Sequence, residues 1–488
     1  MAEHREEAPR ISSGRLVARN AFIRSLGEII GKGATFVMFV AIARKLGPAG
    51  FGIITFALAL TGQLLPLATF GVDAVLTREV ARTRGSLGSF MGNVVTIKVV
   101  ATVPALLVTA AVVELGGYTS ELRLATYLIA LSVALDTLEN TWNAAFQAYE
   151  RLELVSILVV FERILTGAAV LALLAMGAGV IPVASVFPVV SAATIILAGL
   201  LLRLVTHPEW HVQRDRLLPL VRAGIPIGVV ALLFTVMLKL DTVLLSLLTN
   251  SHDVGIYGSA YRLFESTMFL SWSLGAAIFP WFSRIHPERV DDLRRGYETS
   301  VIVMLGLLVP VGVAFLLLAE PIIQVIYGAA YDGAVLPLRL LSIVVVCYGL
   351  NAITSNVLTA HDRPGLMHRV LLITLVQNIV MNLVLIPLYG PTGAALSAAV
   401  SGILLGALTL RQAATALGSI DLTRIFLAPV LGGTAMALVV LLLGADLLKG
   451  LLFGIPAYAL AFLLTERALF PDDFVRLRSL VRLRKAEA

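Results

Sequence analysis

Thirteen ionisable residues interrupt stretches of this sequence that are otherwise apolar: the bases Arg24, Lys32, Lys98, Arg163, Lys239, Arg262 and Arg339, and the acids Glu28, Asp136, Glu139, Glu162, Asp241 and Glu265. Arg24, Glu28 and Lys32 are spaced i, i+4, i+8 and share one face of a helix. Lys32 sits roughly 12 Å further along the axis than Arg24 at ~1.5 Å per residue. Two readings fit. Glu28 pairs with either neighbour in a self-neutralising ladder, or the face is a cationic strip that holds an anion, since one carboxylate cannot neutralise two bases. Asp136, Glu139, Asn140, Asn143 and Gln147 form a second polar stripe. It serves either as hydrogen-bonding glue between helices or as a cation site. Lys239 and Asp241 are two residues apart and point to nearly opposite sides of a helix, so at least one turns to another helix or a cavity. Arg262 and Glu265, at i, i+3, can pair. Arg339 lies about one turn from the end of its stretch and can snorkel. Lys98 has no acid at helical spacing.

Other chemistry is not encoded in recognisable form. The histidines His4, His207, His211, His252, His286, His361 and His368 avoid the middles of the apolar stretches. His207 and His211 flank Pro208, which interrupts the helix that an i, i+4 metal pair needs. No H-E-x-x-H, C-x-x-C, G-x-x-x-x-G-K or G-x-S-x-G pattern occurs. We expect no metal, no cofactor and no enzymatic activity.

The elements that position these charges follow from composition. Of 488 residues, 58% are apolar and 14% are charged, against ~45–50% and ~25% in soluble domains. A globular exterior cannot absorb that excess, so the solvent is mostly lipid. Cys347 is the one cysteine, which rules out an intrachain disulfide. The basic stretch before residue 20 lacks an apolar h-region, so no cleaved signal peptide is expected. Windows of ~20 apolar residues predict fourteen spans: 20–43, 51–75, 89–115, 122–146, 154–178, 180–203, 223–248, 256–282, 297–319, 335–360, 366–386, 392–415, 425–445 and 447–468. Turns are expected at Gly47-Pro48, Gly116-Gly117, Asp362-Arg363-Pro364-Gly365 and Gly390-Pro391.

The net charge of +6 comes from 37 basic and 31 acidic residues. Its distribution argues for membrane orientation rather than nucleic acid. With the N-terminus inside, the inner segments hold 26 Lys and Arg and the outer loops only Arg44, Lys45, Arg123 and Lys449. The positive-inside rule then puts both termini in the cytoplasm. Each charge within a span costs ~2.5–3.5 kcal/mol at the bilayer centre, so these groups must face one another or water.

The chain also repeats. Residues 19–60 align without gaps on 222–263 at an offset of 203, placing Arg19 opposite Arg222 and Gly52 opposite Gly255. Pro182 to Arg203 matches Pro391 to Arg411 more loosely. The alternative is two unrelated membrane helices of similar composition. A true repeat of six spans gives halves in the same orientation, as in transporters with parallel repeats and a substrate site between them.

Several segments carry a resemblance: Ala43-Arg44-Lys45-Leu46-Gly47-Pro48-Ala49-Gly50-Phe51-Gly52, Phe70-Gly71-Val72-Asp73 leading into Arg78-Glu79-Val80-Ala81-Arg82, and Phe146-Gln147-Ala148-Tyr149-Glu150-Arg151-Leu152-Glu153. Leu240-Asp241-Thr242-Val243-Leu244-Leu245-Ser246 followed by Gly255-Ile256-Tyr257-Gly258-Ser259-Ala260-Tyr261-Arg262-Leu263 is the most specific. Asn382 to Ala395 completes the set. Together they resemble polysaccharide-type (Wzx-like) flippases of the multidrug/oligosaccharidyl-lipid/polysaccharide (MOP) exporter superfamily.

The resemblance implies an all-α polytopic fold: a basic segment 1–19, an N-lobe 20–203, a linker 204–222, a C-lobe 223–415, two appended helices within 425–468 and a basic tail 469–488. The lobes would be six-helix bundles forming a V. It implies an inner-membrane flippase that moves a polyprenyl-pyrophosphate-linked oligosaccharide outward by alternating access, with membrane lipids and polysaccharide-assembly proteins as its other partners. Arg24-Ser25-Leu26-Gly27 is also similar to the peptidoglycan-precursor branch, where a helix-one arginine contacts the pyrophosphate. Arg24, Lys32 and Arg262, with Lys98 and Lys239 as weaker candidates, are the expected substrate contacts. Glu28, Asp136, Glu139, Asp241 and Glu265 are expected to pair with bases or couple an ion. The alternative is a cation-coupled multidrug exporter of the same superfamily.

Overall fold

The computed structural model describes residues 14–65, 69–83, 87–206, 210–285, 289–360 and 364–471. Those residues are helical and include no strand. Unit 1 runs through Ile42 and resumes over Leu60–Leu232, and unit 2 comprises Ala43–Ala59 and Leu233 onward.

In unit 1 the first part of α1 (Gly14–Leu64) is followed by α2 (Val72–Arg82), α3 (Leu87–Leu115), α4 (Ser120–Ala148), α5 (Leu152–Ala175), α6 (Val180–Val205) and the start of α7 (Arg214–Leu248). The core gathers Val75, Leu76, Met91, Val94, Phe146, Leu158 and Leu202. In place of the span expected over 51–75, α1 ends at Leu64 and α2 begins anew at Val72. Pro66 lacks an amide donor and disfavours helix at Leu65, and Phe70 (φ 44) and Gly71 (φ 68) turn the chain through the left-handed region.

Unit 2 holds the rest of α7, then α8 (Ser251–Arg284), α9 (Val290–Leu317), α10 (Ala319–Ile326), a 3-10 turn (Ala329–Ala334), α11 (Val335–Ala360), α12 (Pro364–Leu417), α13 (Leu422–Leu442) and α14 (Leu447–Leu469). The turns at Gly47 (φ 68) and Gly390 (φ 53) are sharp kinks in continuous helices, α1 and α12. In each, a left-handed glycine is followed by a proline whose fixed φ suits the first turn of the next helix. Gly117 also turns at φ 68, and residues 361–363 lie outside the described set. The segment 319–334, expected to join two spans, folds into α10 and the 3-10 turn. Arg44 caps α10, donating from Nε to Ile326 O at 2.7 Å and from Nη2 to Val325 O.

Within unit 2, residues 47–59 cross the start of α8 closely. A Cβ on Gly52 would fall 1.7 Å from Ser251 O, and one on Gly255 would fall 1.9 Å from Pro48 O.

Among the described residues nine helices are long and apolar enough to cross a membrane. Their outward faces carry rows of exposed apolar side chains, such as Val99, Val100, Val103 and Leu107 on α3. This is a multi-pass membrane protein.

Candidate functional site

In unit 2, α7 and α8 bring three charges together. Lys239 Nζ lies 2.6 Å from Glu265 Oε1, and Arg262 Nη1 lies 2.8 Å from Glu265 Oε2. The i, i+3 pair on α8 therefore forms, but its carboxylate is shared with Lys239. The three side chains keep 25%, 19% and 32% exposure (Lys239, Arg262, Glu265), so the group reaches solvent. Tyr257 and Tyr261, at helical spacing with Glu265, lie with ring centroids 5.8 Å apart and tilted by 33°. Lys239 Nζ sits 4.9 Å from the Tyr261 ring centroid, a cation–π contact.

Asp241, two residues beyond Lys239, turns the other way and is 4% exposed. Its Oδ1 accepts from Asn382 Nδ2 at 2.6 Å, and its Oδ2 accepts from Tyr257 OH at 3.1 Å. Asn382 also donates to Asn378 Oδ1 at 3.0 Å, and Asn378 Nδ2 donates to Ser401 Oγ at 3.1 Å. Among the described residues no base pairs with Asp241, and Asn382 Oδ1 is buried without a hydrogen bond. A cavity of about 50 Å³ adjoins Asp241, Tyr261, Asn378 and Ser401. Its other walls are mostly apolar, Leu238, Phe264, Leu341 and Leu405 among them, and a space of that size beside a carboxylate suits a water.

In unit 1, Lys98 is fully buried. Its Nζ lies 2.6 Å from Asp73 Oδ1 and donates to Thr137 O at 2.7 Å and Thr141 Oγ1 at 2.9 Å. Lys98, a weaker candidate for substrate contact, is thus placed in a buried ion pair with two further acceptors. Its acid comes from α2, across the break that the expected span 51–75 concealed.

On α4, Glu139 is 4% exposed and accepts from Asn143 Nδ2 at 3.1 Å. Ser132 and Ser191 hydrogen-bond to one another at 2.8 Å, and Asp136 Oδ1 on the same helix as Ser132 is buried without a partner. No base forms an ion pair with either acid among the described residues. No three His, Cys, Asp or Glu side chains gather as a metal set among those residues either.

The side chains of Arg24 and Glu28 lie outside the described set. Lys32 is half-buried and has contacts of its own. Beside it, a Cβ on Gly31 would come 2.7 Å from Arg163 Cδ. The arginine's stem thus lies on α1, and its Nη1 is buried without a hydrogen bond. The sequence shows Arg163 only as an in-span base. Its contact with Gly31 depends on how α5 packs on α1, which no local pattern reveals. Asn378 and Asn382 are signalled only by their i, i+4 spacing on an apolar helix.

The chain matches the family model described as polysaccharide biosynthesis protein over residues 17–286 and the model described as MatE over residues 226–384. It is 22% identical over 396 residues, covering 79% of this chain and 81% of the relative, to Agl15 of Haloferax volcanii, a probable low-salt glycan biosynthesis flippase. It is 23% identical over 374 residues, covering 72% of this chain and 83% of the relative, to EpsE of Ralstonia solanacearum, an EPS I polysaccharide export inner membrane protein. Among solved structures, the lipid II flippase MurJ in an inward closed conformation superposes with a TM-score of 0.78 at 14% identity, covering 92% of this chain and 99% of that one. At such identity the likeness shows the fold. With the first family model spanning more than half its length, the chain belongs to the polysaccharide biosynthesis protein family of the MOP exporter superfamily.

Proposed function

We propose that this protein is a flippase that moves a polyprenyl-pyrophosphate-linked oligosaccharide from the inner to the outer leaflet of the cytoplasmic membrane by alternating access. Fourteen spans with cytoplasmic termini, arranged as two six-helix bundles and an appended pair, make up the transporter. The observation that carries the reading is the Lys239–Glu265–Arg262 group: two bases on one carboxylate, each side chain partly exposed. The Arg262 fork suits bidentate phosphate contact and Lys239 supplies a point charge. Arg24 and Lys32 are further candidate anion contacts in this reading. Moving two negative charges out of a negative interior yields about 4.6 kcal/mol per 100 mV, so transport needs no hydrolysis.

Asp241, a buried carboxylate held by the neutral donors Asn382 and Tyr257, is the ion-coupling residue in this reading, and Asp136 and Glu139 are secondary candidates. The MatE match over 226–384 includes Asp241 and favours a second reading, a cation-coupled drug exporter. A paired experiment separates them. In a strain lacking its own flippase, the wild-type gene restores surface glycan, and Arg24→Ala and Lys32→Ala do not at equal protein level. In a strain lacking drug exporters, the gene leaves dye accumulation unchanged. Dye efflux without glycan rescue supports the exporter reading.

A further inference from the structure

We propose that unit 2 holds one anionic membrane lipid in the cleft between the end of α8 and the start of α9. The cleft encloses about 870 Å³, within the ~300–1,000 Å³ of small-molecule sites. Its walls are apolar, built from Leu274, Ile278 and Trp281 of α8 and Val303 of α9, and its rim carries Arg289, Asp292 and Arg295. Trp281 is 44% exposed, and its indole rests on Gly296, where a Cβ would lie 2.0 Å from the ring. That glycine seats the ring against the α9 backbone as one wall.

The rim selects charge. Arg289 Nη2 pairs with Asp292 Oδ2 at 2.7 Å, whereas Arg295 is exposed and its guanidinium has no hydrogen-bond or ion-pair partner among the described residues. The rim therefore keeps one positive charge above an apolar interior, which fits a phosphate head on an acyl chain. A free anion would gain nothing from the apolar walls, and a neutral lipid nothing from Arg295. Basic pockets between membrane helices take anionic headgroups for this reason. The cleft shares no residue with the Lys239–Glu265–Arg262 group. Trp281 lies 16 residues beyond Glu265 on α8, roughly 24 Å at ~1.5 Å per residue.

The test uses the full chain in nanodiscs of phosphatidylcholine with a rising fraction of dibrominated phosphatidylglycerol, and dibrominated phosphatidylcholine as the neutral control. Bromine quenches indole fluorescence, and the Trp281 signal is the wild-type minus Trp281→Phe difference. Half-quenching is expected at a mole fraction about fivefold lower for the anionic lipid, the effect of one basic side chain at a membrane surface. Arg295→Ala should abolish that preference, Arg295→Lys should retain part of it, and inorganic phosphate should leave it unchanged. Equal quenching by both lipids would overturn the proposal. So would an unchanged preference in Arg295→Ala, or loss of the preference on adding phosphate, which would mark a free-anion site. Should Arg295→Ala fail to fold, the wild-type ratio of the two lipids decides alone.

Discussion

Gly52 and Gly255, which stand opposite one another at the offset of 203, also meet in space, each against the segment that precedes the other. Gly52 abuts Ser251, and Gly255 abuts Pro48, the residue that aligns with Ser251. Three residues on, a Cβ at Gly258 would lie 2.9 Å from Cγ2 of Thr55, again its own counterpart. Two segments in which each position touches its own counterpart are related by a local two-fold. Unrelated helices of similar composition have no reason to show this. The repeat between 47–59 and 251–263 is therefore structural as well as sequential.

Substitution of either glycine should be costly. Gly52→Ala and Gly255→Ala each put a Cβ into a backbone carbonyl, and overpacking of this kind costs ~1–3 kcal/mol. Thermal unfolding in detergent should show a lower Tm for each. The double variant should lose less than the sum, because one separation of the crossing relieves both clashes. Strict additivity would deny the reciprocal contact.

The Lys98–Asp73 pair is predicted to matter for folding rather than for substrate. Removing one partner of a buried ion pair costs ~3–5 kcal/mol, whereas replacing both with apolar residues can be neutral. Lys98→Met should reduce the yield of folded protein, and Lys98→Met with Asp73→Leu should restore both yield and flipping. A double variant that folds but cannot flip would return Lys98 to the substrate path.

Much of this architecture is legible in the sequence, for identifiable reasons. Spans such as 89–115 and 447–468 coincide with α3 and α14 to within two residues, because length and hydropathy are local properties, and glycine followed by proline marks the kinks at Gly47 and Gly390. The pairings are not local. Lys98 finds its acid on a helix hidden inside an expected span, Asp241 bonds to a residue 141 positions away, and Arg163 meets α1 through packing alone. The capping role of Arg44 depends on α10, which an apolar composition does not separate from the neighbouring spans.

Asp241 should couple transport to a cation. Asp241→Asn keeps the acceptor toward Asn382 but removes the charge, so the protein should fold with Tm near wild type and lose the cation stimulation of flipping. Flipping rates across a series of Na⁺ and H⁺ gradients check this. Unchanged stimulation in Asp241→Asn would remove Asp241 from coupling.

Glu265→Gln should change affinity and turnover in opposite directions. It removes the negative charge that Lys239 and Arg262 share, so the substrate should bind more tightly and leave more slowly. Binding isotherms and flipping rates together test the sign. Weaker binding in Glu265→Gln would mean that the carboxylate only holds the two bases in place.

In the proposed mechanism a cation of the Lys239–Glu265–Arg262 group carries the pyrophosphate of a lipid-linked glycan across the membrane. The most direct measurement is the rate at which purified protein in liposomes moves a fluorescent polyprenyl-pyrophosphate oligosaccharide between leaflets, for wild type, Arg262→Ala and Arg262→Lys at matched Tm. A hydrogen bond to a charged group is worth ~1.5–3 kcal/mol, so Arg262→Ala should slow movement by about 10- to 100-fold, and Arg262→Lys should fall between. A wild-type rate no faster than in protein-free liposomes, or an Arg262→Ala rate equal to wild type, would contradict the account.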